Sequence, residues 1–416
     1  MRTILHSDIN HCYAAIECLH HPELRDKPVA VAGDPGQRHG IILAKNIPAK
    51  KCGVKTGEAI WQAKQKCPSL VVLPANFPLY LRFCRYVKDI YSDYTRNIES
   101  FGIDESWLDV SGSCFGSGED IAKAIMKRVK SELGITVSVG VADNKIFAKL
   151  GSDMKKPDGL TVINRDNYKD KVWSLPASDL LYVGPATTAK LRRYGIETIG
   201  QLARSEQLFL KSFLGKWGGM LWRFANGLDS EPVADMDDSS AIKSIGNSTT
   251  SPRDLENNDD VSLVFHVLCE SVAMRLREQG FVCRGVQIHL RTSELHTFER
   301  QKKLTLPTCI SSELHQAAME LFYKNYDWQM PLRSIGVRAT DLAAAGSCVQ
   351  LSMFVDEERR IRRQSLEETV DQLRGRFGNF SVRRAVTLTD PILSGINPKE
   401  EHVIFPVRYV KKPINY

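Results

Sequence analysis

Gly102-Ile103-Asp104-Glu105-Ser106-Trp107-Leu108-Asp109-Val110 is a strand-like run that carries two adjacent carboxylates near its start. Neighbouring side chains in a strand point to opposite faces, so a tight turn or a strand end must bring Asp104 and Glu105 to one site. A third acid is offered by the N-terminus, where Ile4-Leu5-His6-Ser7-Asp8 reads as a first strand with an acid at its end. Three carboxylates at strand ends suit hard divalent cations such as Mg²⁺, which take oxygen ligands and keep waters and substrate phosphates. Two such ions serve in-line phosphoryl or nucleotidyl transfer. Taken alone, the Asp104-Glu105 pair reads more simply as a solvated turn, because acids are mostly exposed. The surrounding sequence has to decide.

Working outward, Asn10–Leu19 reads as a short helix, and Pro28–Ala32 and Gly40–Ala44 as strands around a Gly33-Asp34-Pro35-Gly36 turn. Lys45, Lys50, Lys51 and Lys55 follow close together, as a solvated face or as a phosphate-binding surface. Tyr80, Phe83, Val87, Ile90 and Tyr94 form one apolar helical stripe, and Ile121, Ile125, Val129 and Leu133 a second. With the alternating strand Ile135–Val139, these elements predict an α+β layer centred on the acids. From 166 to 232 the pattern changes to short helices, with Gly215, Gly218 and Gly219 marking a turn. Residues 233–241 are polar, acidic and aperiodic, a linker. Beyond it, Val261, Val264, Phe265, Leu268 and Val272 predict a helix. Val286, Ile288 and Leu290, and then Ile335, Val337 and Ala339, alternate with polar or arginine residues in two strands. In the tail, Ser365 and Glu368 form a capping-box pattern before the apolar face Leu366, Val370, Leu373 and Phe377. Arg374, Arg376, Arg383 and Arg384 fit a DNA contact and a solvated surface equally.

Composition sets outer bounds. A chain of 416 residues is long enough for several domains. A formal charge of +7 permits nucleic-acid binding without demanding it. Ten scattered cysteines without a Cys-x-x-Cys pair argue against zinc and for a reducing compartment. No basic start with an apolar h-region and no membrane-length apolar run is present, so a cytoplasmic protein is expected.

Four segments, in order, carry a family resemblance. Asp8-Ile9-Asn10-His11-Cys12-Tyr13-Ala14-Ala15-Ile16-Glu17 resembles the opening motif of Y-family translesion DNA polymerases, and Ile103–Asp109 resembles their second catalytic motif. Val139–Lys149 and Asp153-Met154-Lys155-Lys156-Pro157-Asp158-Gly159 resemble the segments that follow. The nearest relatives are the bacterial DNA polymerase IV group. The resemblance implies an α+β multidomain, right-hand polymerase. Its parts would be a palm (1–10 and 75–165), fingers (11–74), a helical thumb (166–232), the linker (233–241), an α/β little finger (242–349) and a C-terminal tail (355–416). Val183–Leu191 resembles a helix-hairpin-helix in that thumb, with Tyr182 where the motif often has another glycine.

The implied activity is low-fidelity, template-directed addition of dNTPs to a primer on primer–template DNA. By the resemblance, Asp8, Asp104 and Glu105 hold two Mg²⁺ ions, with the Ile9 carbonyl completing the nucleotide-side site and Glu105 on the primer side. Tyr13 matches the steric gate that selects dNTP over rNTP. Lys156 and the backbone N–H groups of His11 and Cys12 match triphosphate contacts. Gln350-Leu351-Ser352-Met353-Phe354 resembles a bacterial sliding-clamp-binding motif, with Gln350, Leu351, Met353 and Phe354 as anchors. A monomer working with the clamp is expected.

One motif departs from the family. Its Thr-Ala-Asn-Tyr-x-Ala-Arg reads here Ala44-Lys45-Asn46-Ile47-Pro48-Ala49-Lys50. A hydroxyl and a tyrosine donor are lost, and Lys50 keeps charge without the bidentate fork. Each lost neutral hydrogen bond is worth about 0.5–1.5 kcal/mol, so nucleotide affinity is expected to be weaker unless Lys45 or Lys50 compensates. This departure motivates a rival reading, a non-catalytic factor that binds DNA and clamp at stalled forks. A nucleotidyl cyclase, whose palm uses similar paired acids, is a second rival; the thumb-, little-finger- and clamp-like segments argue against it.

Overall fold

In the computed structural model, which describes residues 2–34, 40–236, 242–346 and 356–397, the chain forms two compact units. Of the described residues, the first unit holds 2–33 and 41–236, and the second holds 34, 40, 242–346 and 356–397.

The first unit begins with β1 (Ile4–Ile9), every residue of which is buried. Helix α1 (Cys12–His20) follows. A small sheet is then built from β2 (Val29–Ala32), β3 (Ile42–Lys45) and β4 (Val71–Pro74), with β2 central. Short helices α2 (Ile47–Lys51) and α3 (Ile60–Lys66) lie between β3 and β4. Asn46 caps α2 through its Oδ1, which also accepts from the Val29 N–H, so one side chain ties helix to sheet.

Next come α4 (Phe77–Ser92), β5 (Ile98–Phe101), β6 (Glu105–Asp109), α5 (Gly118–Leu133), β7 (Val137–Ala142), α6 (Lys145–Met154) and β8 (Leu160–Val162). The central sheet runs β5-β6-β1-β7-β8, antiparallel except for the β7–β8 pair. Its two faces are covered differently. Leu5, Ile9, Leu108 and Val139 pack against the apolar stripes of α4 and α5. Ile4 and Trp107 pack with Ile146, Phe147 and Leu150 of α6. Gly140 is what lets α6 lie so close: a Cβ there would fall 2.0 Å from the Ala148 carbonyl oxygen. Two local readings shift. Tyr94 lies beyond the end of α4, and the strand expected over Ile135–Val139 runs two residues later, to Ala142.

Helices α7 (Tyr168–Val172), α8 (Pro185–Arg193), α9 (Ile199–Arg204), α10 (Gln207–Leu214) and α11 (Lys216–Ala225) complete the unit. Their buried residues Leu191, Leu202, Leu210 and Leu221 extend the α6 core. At the hairpin, Tyr182 takes the left-handed conformation, φ 70°, that the missing glycine would supply. The arm before it is a single 3₁₀ turn, Ala177–Asp179. Only Gly215 makes the expected turn. Gly218 and Gly219 lie inside α11, and a Cβ on Gly218 would sit 2.3 Å from the Leu210 carbonyl oxygen, so they serve close helix packing. In the linker segment, the Ala234 N–H donates to Glu99 and the Met236 N–H to the Arg96 carbonyl; residues 237–241 lie outside the described ones.

The second unit is a four-stranded antiparallel sheet under two helices. Its elements are β9 (Ser244–Leu255), α12 (Asn258–Glu278), β10 (Phe281–Thr292), β11 (Thr297–Thr308), α13 (Ser311–Asn325) and β12 (Leu332–Ala344), and the strand order is β11-β10-β12-β9. Val286, Ile288, Leu290, Ile335 and Val337 form its core with Phe265, Leu268 and Phe322 of the helices. The opposite face presents Gln287, His289, Arg291 and Arg338 along an open polar groove. The tail adds α14 (Glu357–Phe377) and α15 (Pro391–Ser394).

Helix α14 starts eight residues before the Ser365 capping pattern. Asp356 is the cap, accepting from the Arg359 N–H, while Ser365 and Glu368 are mid-helix. Its apolar face is the exposed one: Leu366 and Phe377 are 64% and 63% accessible. Its charged face docks. Arg277 bonds Glu367 at 2.7 Å and Asp371 at 2.6 Å, and Arg374 and Arg384 both bond Glu270. Arg383 donates to Ser394, so among the described residues Arg376 alone of the four tail arginines makes no ion pair or hydrogen bond; its guanidinium lies over the Phe377 ring.

Candidate active site

The turn between β5 and β6 answers how two adjacent acids reach one place. Phe101 pairs with Glu105, leaving Gly102-Ile103-Asp104 as a three-residue loop opened by Gly102 at φ 76°. The Asp104 carbonyl accepts the Ile9 N–H at 3.1 Å, which pins the loop to the end of β1. One residue on, Glu105 and Asp8 are direct partners across the antiparallel β6–β1 ladder. Directly opposed residues share a face. Asp8 and Glu105 therefore stand side by side, with Asp104 at the adjoining corner.

That face is the one covered by α6. Lys149 Nζ reaches 3.0 Å from Glu105 Oε2, 3.5 Å from Asp8 Oδ2 and 3.0 Å from Asp153 Oδ2. Lys156, in the loop after α6, lies 2.6 Å from Asp8 Oδ2 and 2.8 Å from Asp153 Oδ1. Two ammonium groups thus neutralise a half-buried acidic cluster. Behind it, His6 Nε2 lies 3.3 Å from Glu105 Oε2 and His6 Nδ1 lies 2.8 Å from Ser152 Oγ.

The acids respond in opposite senses. Burial, reinforced by the neighbouring Glu105 charge and opposed by Lys156, pushes Asp8 up to about 7. Burial and Glu105 likewise raise Asp104. Burial also works to raise Glu105, but the His6 contact and the Lys149 charge outweigh it and hold Glu105 at about 2. Titratable groups pushed apart in this way make the cluster a candidate reactive site.

The donor set is three hard carboxylates that strain against one another, and it fits divalent cations. Among the described residues no three side chains already stand in a coordinating array, and lysines contact two of the three carboxylates.

Around the acids, Tyr13 at the start of α1 stacks on Tyr80, ring centroids 4.4 Å apart and planes 10° from parallel, with Phe77 edge-on at 5.8 Å. Cys12 is buried and its Sγ is 3.9 Å from that of Cys84. His11 is the N-cap of α1, with φ 52°, so the first N–H groups of α1 lie beside it without helical partners. Burial, and then the charges of Lys50 and Lys45, hold the His11 imidazole below its ordinary value. Lys50 and Lys45 therefore face the start of α1. Lys50 and Ile47 are exposed, and Lys45 donates to Thr56 at 3.0 Å.

Asp8, Asp104, Glu105 and Lys156 thus converge, and Tyr13 borders them. Gln350, Leu351, Met353 and Phe354 lie outside the described residues. Reading the sequence missed Lys149, His6, Ser152 and Asp153. The signal was there: Lys145, Lys149 and Asp153 recur every four residues on one face of α6.

The chain resembles known proteins over most of its length. Residues 7–153 match the impB/mucB/samB family, and residues 242–353 match the C-terminal domain of the same family. The chain is 54% identical over 397 residues to DNA polymerase IV of Acetivibrio thermocellus, covering 95% of this chain and all of that protein. It is 35% identical to DNA polymerase IV of Clostridium acetobutylicum, covering 93% and 98% of the two chains. A solved chimeric Y-family DNA polymerase superposes with a TM-score of 0.72 at 25% identity, over 82% of this chain and 99% of the other.

Proposed function

This chain belongs to the Y family of DNA polymerases, in the DNA polymerase IV group, and from that premise we propose how its residues divide the work of translesion synthesis. It is a DNA-directed DNA polymerase that extends a primer with dNTPs. The observation that carries the site assignment is the pairing of Asp8 with Glu105 across β1 and β6, with Asp104 pinned beside Ile9.

Asp8, Asp104, Glu105 and the Ile9 carbonyl would hold two Mg²⁺ ions. Bound there, such ions lower the pKa of the primer 3′-hydroxyl and neutralise charge on the triphosphate and the departing pyrophosphate. The protein's own steps follow from the geometry. Lys156 leaves Asp8 for the triphosphate, whose denser negative charge outcompetes one carboxylate. The free N–H groups at the start of α1 receive phosphate oxygens. Tyr13, held flat by Tyr80, blocks a 2′-hydroxyl. Lys45 and Lys50 make up for the lost arginine fork by charge alone. Gln350-Leu351-Ser352-Met353-Phe354 would engage a sliding clamp, and the enzyme would act as a cytoplasmic monomer. Among the described residues no helix is long and apolar enough to cross a membrane.

Primer extension on undamaged and damaged templates, with Asp104→Ala as control, tests this reading. Extension by the wild-type chain alone supports it. Bound DNA without extension would instead favour the non-catalytic clamp- and DNA-binding factor.

A further inference from the structure

We propose that His6 is a positioning residue for the acid cluster: its Nε2–H holds the Glu105 carboxylate ready for a divalent cation, and Ser152 fixes the tautomer that makes this possible. This inference rests on the metal-binding reading of Asp8, Asp104 and Glu105. It starts from strand parity. His6 lies two residues before Asp8 and so shares its face, and its partner across the ladder is Trp107, as the partner of Asp8 is Glu105. The four side chains form a two-by-two patch beneath α6.

Within that patch His6 is wholly inaccessible to solvent. Burying an imidazole is unfavourable unless its polar atoms are matched. Nδ1 meets Ser152 Oγ at 2.8 Å. Nε2 is buried without a hydrogen-bond partner of good geometry, and the group it faces, at 3.3 Å, is Glu105 Oε2, whose other neighbour is the Lys149 ammonium at 3.0 Å. The tautomer follows from the charges. A bare Nε2 lone pair facing a carboxylate would be repulsive, whereas an N–H there is attractive. The Ser152 hydroxyl, which donates to the Lys149 carbonyl at 2.8 Å, must then turn its one proton to Nδ1; that carbonyl is inside α6 and keeps its donor from the helix ladder. Trp107 meets the ring edge-on at 5.3 Å and is anchored by its own Nε1–H to the Lys145 carbonyl at 2.9 Å, so the imidazole plane is fixed.

The function of this arrangement lies in what happens to Lys149. Lys149 lies 3.0 Å from the same oxygen of Glu105. A cation entering the cluster repels that ammonium. It does not repel a neutral imidazole, so His6 is the donor that stays and keeps the carboxylate aimed. Hydrogen-bond donors behind metal-ligating carboxylates typically matter by 10–100-fold in affinity.

The test is Mn²⁺ binding to the full chain without DNA or nucleotide, followed by electron paramagnetic resonance, with Mg²⁺ half-saturation of primer extension as a second readout. His6→Gln places an amide N–H at the depth of Nε2, whereas His6→Asn reaches only Ser152. The expected result is retained Mn²⁺ affinity in His6→Gln and a loss of about 10–100-fold in His6→Asn, with Mg²⁺ half-saturation shifted in step. A folded His6→Asn protein that binds Mn²⁺ like the wild type overturns the proposal. Should His6→Asn not fold, Ser152→Ala keeps the ring and removes its anchor: weakened Mn²⁺ binding supports the assignment, and unchanged binding overturns it. A wild-type chain that binds Mn²⁺ yet extends no primer would count against the polymerase chemistry, not against His6.

Discussion

Asp8 and Glu105 are direct partners across the β1–β6 ladder, yet their carboxyls are driven in opposite directions, Asp8 up to about 7 and Glu105 down to about 2. Two acids on one face cannot both ionise freely in a half-buried setting. Lys149 spans them, 3.5 Å from Asp8 and 3.0 Å from Glu105.

This asymmetry has a pH consequence. Asp8 carries a raised value, so below about 7 the metal-free protein holds a proton there that a cation must displace. Mg²⁺ half-saturation of extension is expected to be flat above pH 7 and to rise by up to about tenfold per unit below it. Glu105, held low, adds no slope in that range. Initial rates across Mg²⁺ concentrations at several pH values would show it. A half-saturation independent of pH from 6 to 8, as rough bounds of the window, contradicts the assignment of Asp8.

Tyr13 is braced by Tyr80 and Phe77, so its ring has little room to retreat from a ribose. Tyr13→Ala is expected to raise rNTP over dNTP insertion on the order of 10–200-fold, the range over which packing discriminates small groups. Single-nucleotide insertion kinetics with matched rNTP and dNTP measure this. Unchanged sugar selectivity would remove Tyr13 from the role.

The tail is secured by charge rather than by apolar contact. Arg277 is half of a mostly buried bridge to Glu367 and Asp371 that leaves both acids partly exposed. Breaking such a bridge from one side leaves charge unpaired, so Arg277→Ala is expected to lose about 3–5 kcal/mol from the second unit. Arg376→Ala, at an exposed residue, is expected to stay within about 0.5 kcal/mol. Denaturant melts of the two variants make the comparison, and equal stabilities would contradict the docking described for α14.

Replacing Leu351, Met353 and Phe354 together with alanine is expected to abolish clamp stimulation and spare basal extension. Primer extension with and without a loaded clamp distinguishes the two activities. Stimulation that survives the triple change would remove the motif from clamp binding.

The acids were legible as a set through the ordered segments that resemble Y-family motifs; the local pattern alone read Asp104-Glu105 as a solvated turn. His6 and Lys149 were not legible as site residues. A histidine in a buried strand and a lysine on an amphipathic helix look ordinary until β1 and α6 are laid together, which depends on the missing side chain of Gly140. The start of α14 misled for a different reason. Ser365 and Glu368 satisfy the local capping pattern, but the stronger cap at Asp356 lies upstream, in a run whose dense charge resembles loop. The apolar stripe of α14 was visible, and its outward orientation was not, because the partners of the opposite face, Arg277 and Glu270, lie on a helix almost 100 residues earlier. Gly218 and Gly219 read as turn residues because sequence cannot separate a glycine that bends the chain from one that lets two helices touch.

The central claim is that Asp8, Asp104 and Glu105 act together on one nucleotidyl transfer. Its most direct test is the rate of single-nucleotide insertion by Asp104→Ala against wild type, with DNA affinity measured in parallel. The account predicts undiminished DNA binding and a rate lowered by roughly 10²–10³-fold or more. Insertion at the wild-type rate by a variant lacking Asp104 would contradict it.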